Sequence, residues 1–347
     1  MSQFPDMHTR TLGPFQVSAL GLGCMSFSMG YGPADDTESA RVLQAALDAG
    51  YSFLDTASMY GGGHNESLIG ATLKQRRHEF VLASKCGLSK DETGKPVVNG
   101  RPEVLKKQCE DSLKRLQTEV IDLYYLHRLD PKVPVEESVG GLADLIHAGK
   151  IRSLGLSEIS TASLRRAQAE HPVTAVQSEY SLWSRTPETS LLAACAELGV
   201  SFIPFSPLGR GFFTGKAQDV THLTKDDVRC TNARPRFEPE AFAANSQLLQ
   251  PFAELAKQQG CTLAQLALAW LLAQKNAEGE PTLIPIPGTK HLDYLLENAG
   301  AADLQLPPAT VTALNELINE STIQGQRYTA ALRASMDAER DRLAPTD

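Results

Sequence analysis

Eight short runs of bulky apolar and β-branched residues, separated by amphipathic helical patterns, constrain this chain more than any other feature of its sequence. They lie at Val17–Gly23, Ser52–Asp55, Phe80–Lys85, Ile121–His127, Ile151–Ser157, Val173–Gln177, Val200–Phe205 and Thr282–Pro287. Their near-continuous apolar content suits strands covered on both faces, as in a parallel sheet. Between them, Val42, Leu43, Ala46 and Leu47 recur at helical spacing and Gly50 stops the pattern. Leu105, Cys109, Leu113 and Leu116 repeat it after Pro102, and Val135, Val139, Leu142 and Ile146 do so ahead of Gly149. Thr186-Pro187 opens a further helix closed by Gly199, and Thr262-x-x-Gln265 is a capping box before Leu266 and Trp270. The alternation predicts an α/β protein, a (β/α)8 barrel. An N-terminal β-hairpin precedes it, a long loop (207–245) follows the seventh strand, and a helical tail begins near 306, first over Ala309–Asn319. A single domain over 1–347 is expected. A doubly wound sheet would need more than Gly21-Leu22-Gly23, which lacks the third glycine and a well-placed acidic ribose partner.

Composition narrows the function. With 347 residues and 42% apolar content the chain buries a core without staples. A net charge of −8 argues against a nucleic-acid or anionic-membrane footprint. Six cysteines are scattered without a C-x-x-C pair, and no two histidines share metal-ligand spacing on a helix, so neither a disulfide framework nor a metal is expected. The N-terminal MSQFPDMHTR has no apolar signal region, and the apolar stretch Leu263–Ala273 is too short to span a bilayer. A cytoplasmic protein acting on small molecules is the expectation, with its oligomeric state left open.

In such a barrel, polar residues at the C-terminal ends of strands share one pocket. Asp55, Lys85, His127, Ser157 and Gln177 end successive strands, Gly288-Thr289-Lys290 follows the eighth, and Tyr60 lies just past Asp55. Alone, each has an ordinary role as a cap, a surface charge or a packing residue. Together they compose a proton donor. A buried Lys85 would lower the Tyr60 pKa from about 10, and Asp55 would keep Lys85 charged. His127 could hydrogen-bond a carbonyl oxygen, and Tyr60 could protonate the developing alkoxide. The set lacks a hydride source, so it requires a cofactor. Gly61-Gly62-Gly63 has no following Gly-Lys-Ser/Thr and is therefore a turn presenting Tyr60.

The strings GYSFLDTASMYGGGHNESLIG, VLASKCG, IDLYYLHRLDP, IRSLGLSE, AVQSEYSLW, PFSPLGRGFFTGK and IPIPGTKHLDYLLEN resemble the aldo-keto reductase superfamily, from about Arg10 to Arg327. The branch with pyridoxal-reductase-like, perakine-reductase-like and auxin-induced-protein-like enzymes is the most similar. The resemblance implies a catalytic tetrad of Asp55, Tyr60, Lys85 and His127, and reduction of aldehydes and ketones by direct hydride transfer from NADPH. It implies that Ser157, Glu158 and Gln177 hold the nicotinamide carboxamide, with Glu158 where other branches carry Asn. Phe205 would stack on the nicotinamide, and Ser206, Leu208, Arg210 and Gly211 would surround the pyrophosphate. Gly288, Thr289 and Lys290 would meet the 2′-phosphate, Glu297 and Asn298 the adenine, and Gly23 and Met25 would complete the cofactor site. His291 and Tyr294 depart from the family's usual Arg or Gln. Tyr31, Met59, Arg128 and Trp183 flank these motifs and are candidate substrate-pocket walls.

Two other functions are compatible with the residues. The resemblance also covers NADPH-binding redox-sensor or channel accessory modules with little turnover. A strand-end lysine such as Lys85 could instead be a Schiff-base nucleophile, a reading that Arg210 and Lys290 oppose.

Overall fold

The computed structural model describes residues 7–216, 220, 222–275 and 283–343. A hairpin of β1 (Thr9–Leu12) and β2 (Phe15–Ser18) comes first, with Leu12 opposite Phe15. The main sheet holds β3 (Leu22–Gly23), β4 (Phe53–Asp55) and β5 (Val81–Cys86). A small antiparallel pair, β6 (Leu88–Lys90) and β7 (Pro96–Val98), stands apart. The main sheet continues with β8 (Ile121–Leu126), β9 (Ile151–Ser157), β10 (Ala175–Glu179) and β11 (Ser201–Phe205). Its order is β11-β10-β9-β8-β5-β4-β3, and every pair is parallel.

The gap between β11 and β3 is filled by the segment from Leu283 to Pro287. The N–H groups of Ile284 and Ile286 donate to Phe202 and Pro204, while the carbonyls of Pro285 and Pro287 accept from Gly21 and Gly23. The two prolines have no N–H to offer and so contribute acceptors alone. This closes the expected barrel, although Thr282, at the start of the predicted run, lies outside the described residues.

Two elements differ from expectation. The run Val17–Gly23 is divided between hairpin and barrel, because its apolar residues serve different cores. Val17 packs with the barrel interior and Leu22 with the outer helices. The helix after Thr186 is a 3-10 turn, Thr186–Thr189, followed by Leu191–Glu197. Ser190 breaks it at φ −158° and shares a 2.7 Å hydrogen bond with Thr161. The helix Pro102–Leu116 carries its proline in the first turn, and the Thr262–Gln265 capping box forms as predicted.

Period-two alternation sets what faces inward. Phe53, Ala83, Leu123, Tyr125, Ala175, Ile203, Ile284 and Ile286 form the interior cluster, and Leu12, Val17 and Phe15 of the hairpin join it. The hairpin sits at the strands' N-terminal ends, where Ser201 at the start of β11 bonds both Gly13 and Thr11. Continuing the same parity one step further up each strand reaches Asp55, Lys85, His127, Ser157 and Gln177. The alternation that fills the barrel therefore also aims the polar set into its mouth.

Gly155 makes room for the largest interior side chain, since a Cβ there would lie 2.5 Å from the Tyr125 ring. Gly155→Ala is expected to destabilise the protein by about 1–3 kcal/mol through overpacking. Urea unfolding would measure it, and an unchanged midpoint would contradict this packing.

Candidate active site

The strand ends open into a cavity of about 1200 Å³ that also reaches the loop after β11 and the C-terminal tail. At its floor Lys85, buried on β5, donates to Asp55 at 2.5 Å, to the Thr56 carbonyl at 2.8 Å and to the Tyr60 hydroxyl at 3.1 Å. Gln177 donates to the second Asp55 oxygen at 2.8 Å. Tyr60 is held by the turn Tyr60–Gly63, whose glycines take φ of 59°, 64° and 96°, a region costly for other residues. The rings of Tyr60 and His127 meet edge to face at 5.9 Å. The four residues of the expected tetrad thus converge.

Their titration follows from burial and one cation. Burial works to lower Lys85, but Asp55 and Tyr60 hold its ammonium above the ordinary value. Burial raises the Asp55 carboxyl against the pull of Lys85. His127 is driven well below its ordinary value, by burial first and then by Arg128 and Lys85, so its imidazole is neutral at physiological pH. Tyr60 corrects an expectation: its pKa lies above the ordinary value, because burial outweighs the downward pull of Lys85.

The remaining candidates divide. Gly23, Met25, Ser157, Phe205, Ser206, Leu208, Gly211, Gly288, Thr289, Glu297 and Asn298 all line the cavity, as do Tyr31, Met59 and Arg128. Lys290 lines it too, with its ammonium on the Tyr31 and Pro33 carbonyls at 2.9 and 2.5 Å. The helix Leu292–Ala299 starts just beyond it. Trp183 does not line the cavity. It is buried in an aromatic cluster, stacked on Phe212 with ring centroids 4.5 Å apart and covered by Arg236.

Glu158 and Arg210 also border the cavity, but their charges are already engaged. The Glu158 carboxylate accepts from the Glu179 N–H at 2.8 Å and pairs with Arg327 at 2.7 Å. Arg210 donates to Glu179 at 2.8 Å and to the Tyr328 hydroxyl at 2.7 Å. Glu158, Ser206 and Arg210 adopt φ of 54°, 50° and 56°, and such left-handed non-glycine residues cluster where function holds them.

Several cavity residues escaped the sequence reading. Arg229 pairs with Asp227 at 2.7 Å and lies over the Tyr31 ring, and Lys216 bonds Glu297 at 3.3 Å. Arg327, Tyr328 and Glu339 belong to the tail, which folds back onto β9. There Asp337 accepts from Ser160 N–H and Asp341 from Thr161 N–H. These residues lie in loops and in the short helical turns Asp337–Glu339 and Arg340–Leu343, those of the tail far in sequence from the strand end they join. No local signal marks them.

Comparison with known proteins shows the family to which the chain belongs. The sequence profile of the Aldo/keto reductase family matches residues 19–319. An NADP(+) aldo-keto reductase of Schizosaccharomyces pombe, yakc, is 41% identical over 326 residues, covering 92% of this chain and 94% of that protein. A probable aldo-keto reductase 1 of Glycine max is 41% identical over 316 residues, covering 90% and 89%. Among solved structures, a glycerol dehydrogenase from Gluconobacter oxydans superposes with a TM-score of 0.79 at 27% identity, covering 98% of this chain and 97% of that one. An aldo/keto reductase from Klebsiella pneumoniae in complex with NADP and acetate gives 0.69 at 26% identity, covering 93% and 99%. The chain belongs to the aldo/keto reductase family, whose members are oxidoreductases. Among the described residues no helix is long and apolar enough to cross a membrane, and no side-chain cluster suited to a metal occurs.

Arg327 is the centre of a buried charge network with Glu158 and Glu339. Burial works to raise the Glu179 and Glu339 carboxyls, but neighbouring arginines hold both below the ordinary value. Their contribution to stability is therefore present above the unfolded value near 4.3 and is lost as pH falls through the folded value. Arg327→Met is expected to cost about 3–5 kcal/mol, because it strands buried carboxylates. It should also move the acid-unfolding midpoint to higher pH, as followed by circular dichroism. An unmoved midpoint would contradict the network.

Proposed function

We propose that this chain, folded as one domain over residues 1–347, is a cytoplasmic NADPH-dependent reductase of small aldehydes and ketones, with Tyr60 as the proton donor. The observation that carries the reading is the fully buried Lys85 ammonium, 2.5 Å from Asp55 and 3.1 Å from the Tyr60 hydroxyl. NADPH, when bound, would supply the hydride that these side chains lack. The donor set fits that group. Ser157 and Gln177 offer polar atoms beside the tetrad, and Phe205 offers a ring. Lys290 brings a positive charge past the eighth strand that no carboxylate among the described residues pairs, while Lys216 and Arg229 on the loop after β11 are paired with Glu297 and Asp227. Thr289 and Lys290 would hold the 2′-phosphate, Ser206, Leu208 and Gly211 the pyrophosphate, and Glu297 and Asn298 the adenine. Gly23 and Met25 would form the adjoining wall. The NADP in the name of the fission-yeast relative and in the Klebsiella pneumoniae complex supports the same cofactor.

The chain's own residues then handle one proton. A carbonyl oxygen between Tyr60 and His127 would meet the tyrosine O–H and the neutral imidazole. Because burial keeps the Tyr60 hydroxyl protonated, it holds its proton until negative charge develops on that oxygen. The phenolate left behind sits against the Lys85 ammonium, which Asp55 keeps charged and aimed. Gln177, donating to Asp55, fixes the carboxylate's orientation.

Tyr60→Phe is expected to lower kcat by about 100- to 10,000-fold while NADPH, followed by fluorescence quenching, still binds within about threefold of wild type. Near-normal turnover would overturn the assignment of Tyr60. Lys290→Met should weaken NADPH by roughly tenfold and NADH far less, through loss of a charge-assisted contact. Equal weakening of both cofactors in a titration would place the 2′-phosphate elsewhere.

A further inference from the structure

Arg128 is a half-buried cation in the cavity whose charge the surrounding protein leaves unanswered. It follows His127 at the end of β8, and its Nη1 donates to the His127 carbonyl at 2.6 Å and to Ser157 Oγ at 3.2 Å. Among the described residues no carboxylate forms an ion pair with it. Other sheltered arginines are paired: Arg77 with Asp122, Arg115 with Glu66, Arg229 with Asp227 and Arg327 with Glu158. Arg10, buried without a carboxylate, donates instead to the Leu283 and Leu272 carbonyls, away from the cavity.

The cofactor's phosphates do not account for Arg128. The residues proposed to hold them, Ser206, Leu208, Gly211, Thr289 and Lys290, belong to the loop after β11 and the segment after the eighth strand, whereas Arg128 stands with Ser157 and His127 beside the tetrad. Burial dominates the titration of His127 and Tyr60, and the Arg128 charge adds a downward pull on each, as expected of a cation close to both. Two acidic side chains of the same cavity lining are engaged with backbone N–H groups. Asp130 accepts from Gly100 and Lys132, and Asp337 from Ser160. Lys132 adds a second positive charge on the same loop, and Val97, Leu129 and Met336 supply apolar wall.

We propose that Arg128 is a specificity-determining residue that receives a carboxylate of the substrate. Carbonyl compounds with an apolar body and a carboxylate are then preferred over neutral compounds of the same shape. A guanidinium with a free edge suits a planar carboxylate, which it can hold through two parallel hydrogen bonds. The inference rests on reading the Tyr60 site as a carbonyl reductase.

The test compares the three carboxybenzaldehyde isomers with 4-nitrobenzaldehyde, whose nitro group has a carboxylate's shape without its charge. Each substrate is followed by NADPH oxidation in wild type, Arg128→Gln and Arg128→Lys, so that intrinsic reactivity cancels within a substrate. For the isomer that wild type uses best, Arg128→Gln should raise KM at least about tenfold. The ratio of its kcat/KM to that of the nitro compound should fall accordingly, and Arg128→Lys should restore part of it. An equal fall for charged and neutral aldehydes would reduce Arg128 to a positioning role through His127 and Ser157, and no fall would remove it from the site. Either result overturns the proposal. Calorimetric titration with the same aldehydes reads the contact without turnover. A carboxybenzaldehyde that loses about tenfold in affinity on Arg128→Gln supports the inference, even if the wild type oxidises no NADPH. That second outcome would instead sink the reductase reading. Equal binding by both proteins overturns the inference.

Discussion

A lysine ammonium at the floor of a barrel is stable only if a counter-charge is buried with it. The Lys85–Asp55 pair meets that condition and organises the site around it. Asp55 ends β4 opposite Ala83 of the neighbouring β5, and Lys85, two residues further along β5, shares that residue's face and reaches the carboxylate at 2.5 Å. The second Asp55 oxygen is taken by Gln177 from the far side of the barrel, so three strands share one carboxylate. The third Lys85 contact is the Tyr60 hydroxyl, which the three-glycine turn returns over the pair. Removing either charge would leave the other buried and unanswered, at a cost of several kcal/mol. The same interaction thus stabilises the barrel mouth and holds Tyr60, the proton donor proposed above, in place.

A second buried charge network fastens the C-terminal tail over that mouth. Glu158 and Glu179 lie at the ends of β9 and β10, and family resemblance implies a cofactor contact for the first of them. Arg327, Arg210 and Arg236 converge on them from the tail and the loop after β11. The left-handed backbone at Glu158 and Arg210 is held by these pairs. The tail's Leu332, Ala334 and Met336 then become cavity wall.

Much of the fold was legible because strand and helix periods are local. The strand β9, Ile151–Ser157, coincides with the predicted run, and the Thr262 cap closes as its sequence demands. The tetrad was legible for a related reason: a polar residue at the end of an apolar strand run has few places to point. The division of Val17–Gly23 was not, since an apolar run does not say which of two cores it enters. Trp183 shows the same ambiguity. Its place beside a strand-end motif suggested a cavity wall, but its indole is packed among Phe212, Phe213 and Phe237, on segments that the tertiary fold brings to it.

The sequence by itself determined the alternation of strands and helices, the inward parity of the strand residues and the identity of the four converging side chains. Each depends on neighbours within a few positions, where backbone geometry leaves little choice. Only the tertiary structure decided which charges are spent and which are free. Glu158 and Arg210 are paired with partners 169 and 31 residues away, and Arg128 has no such partner among the described residues. Coulombic pairing depends on distance in space and on burial, and neither is written in the spacing of residues along a chain.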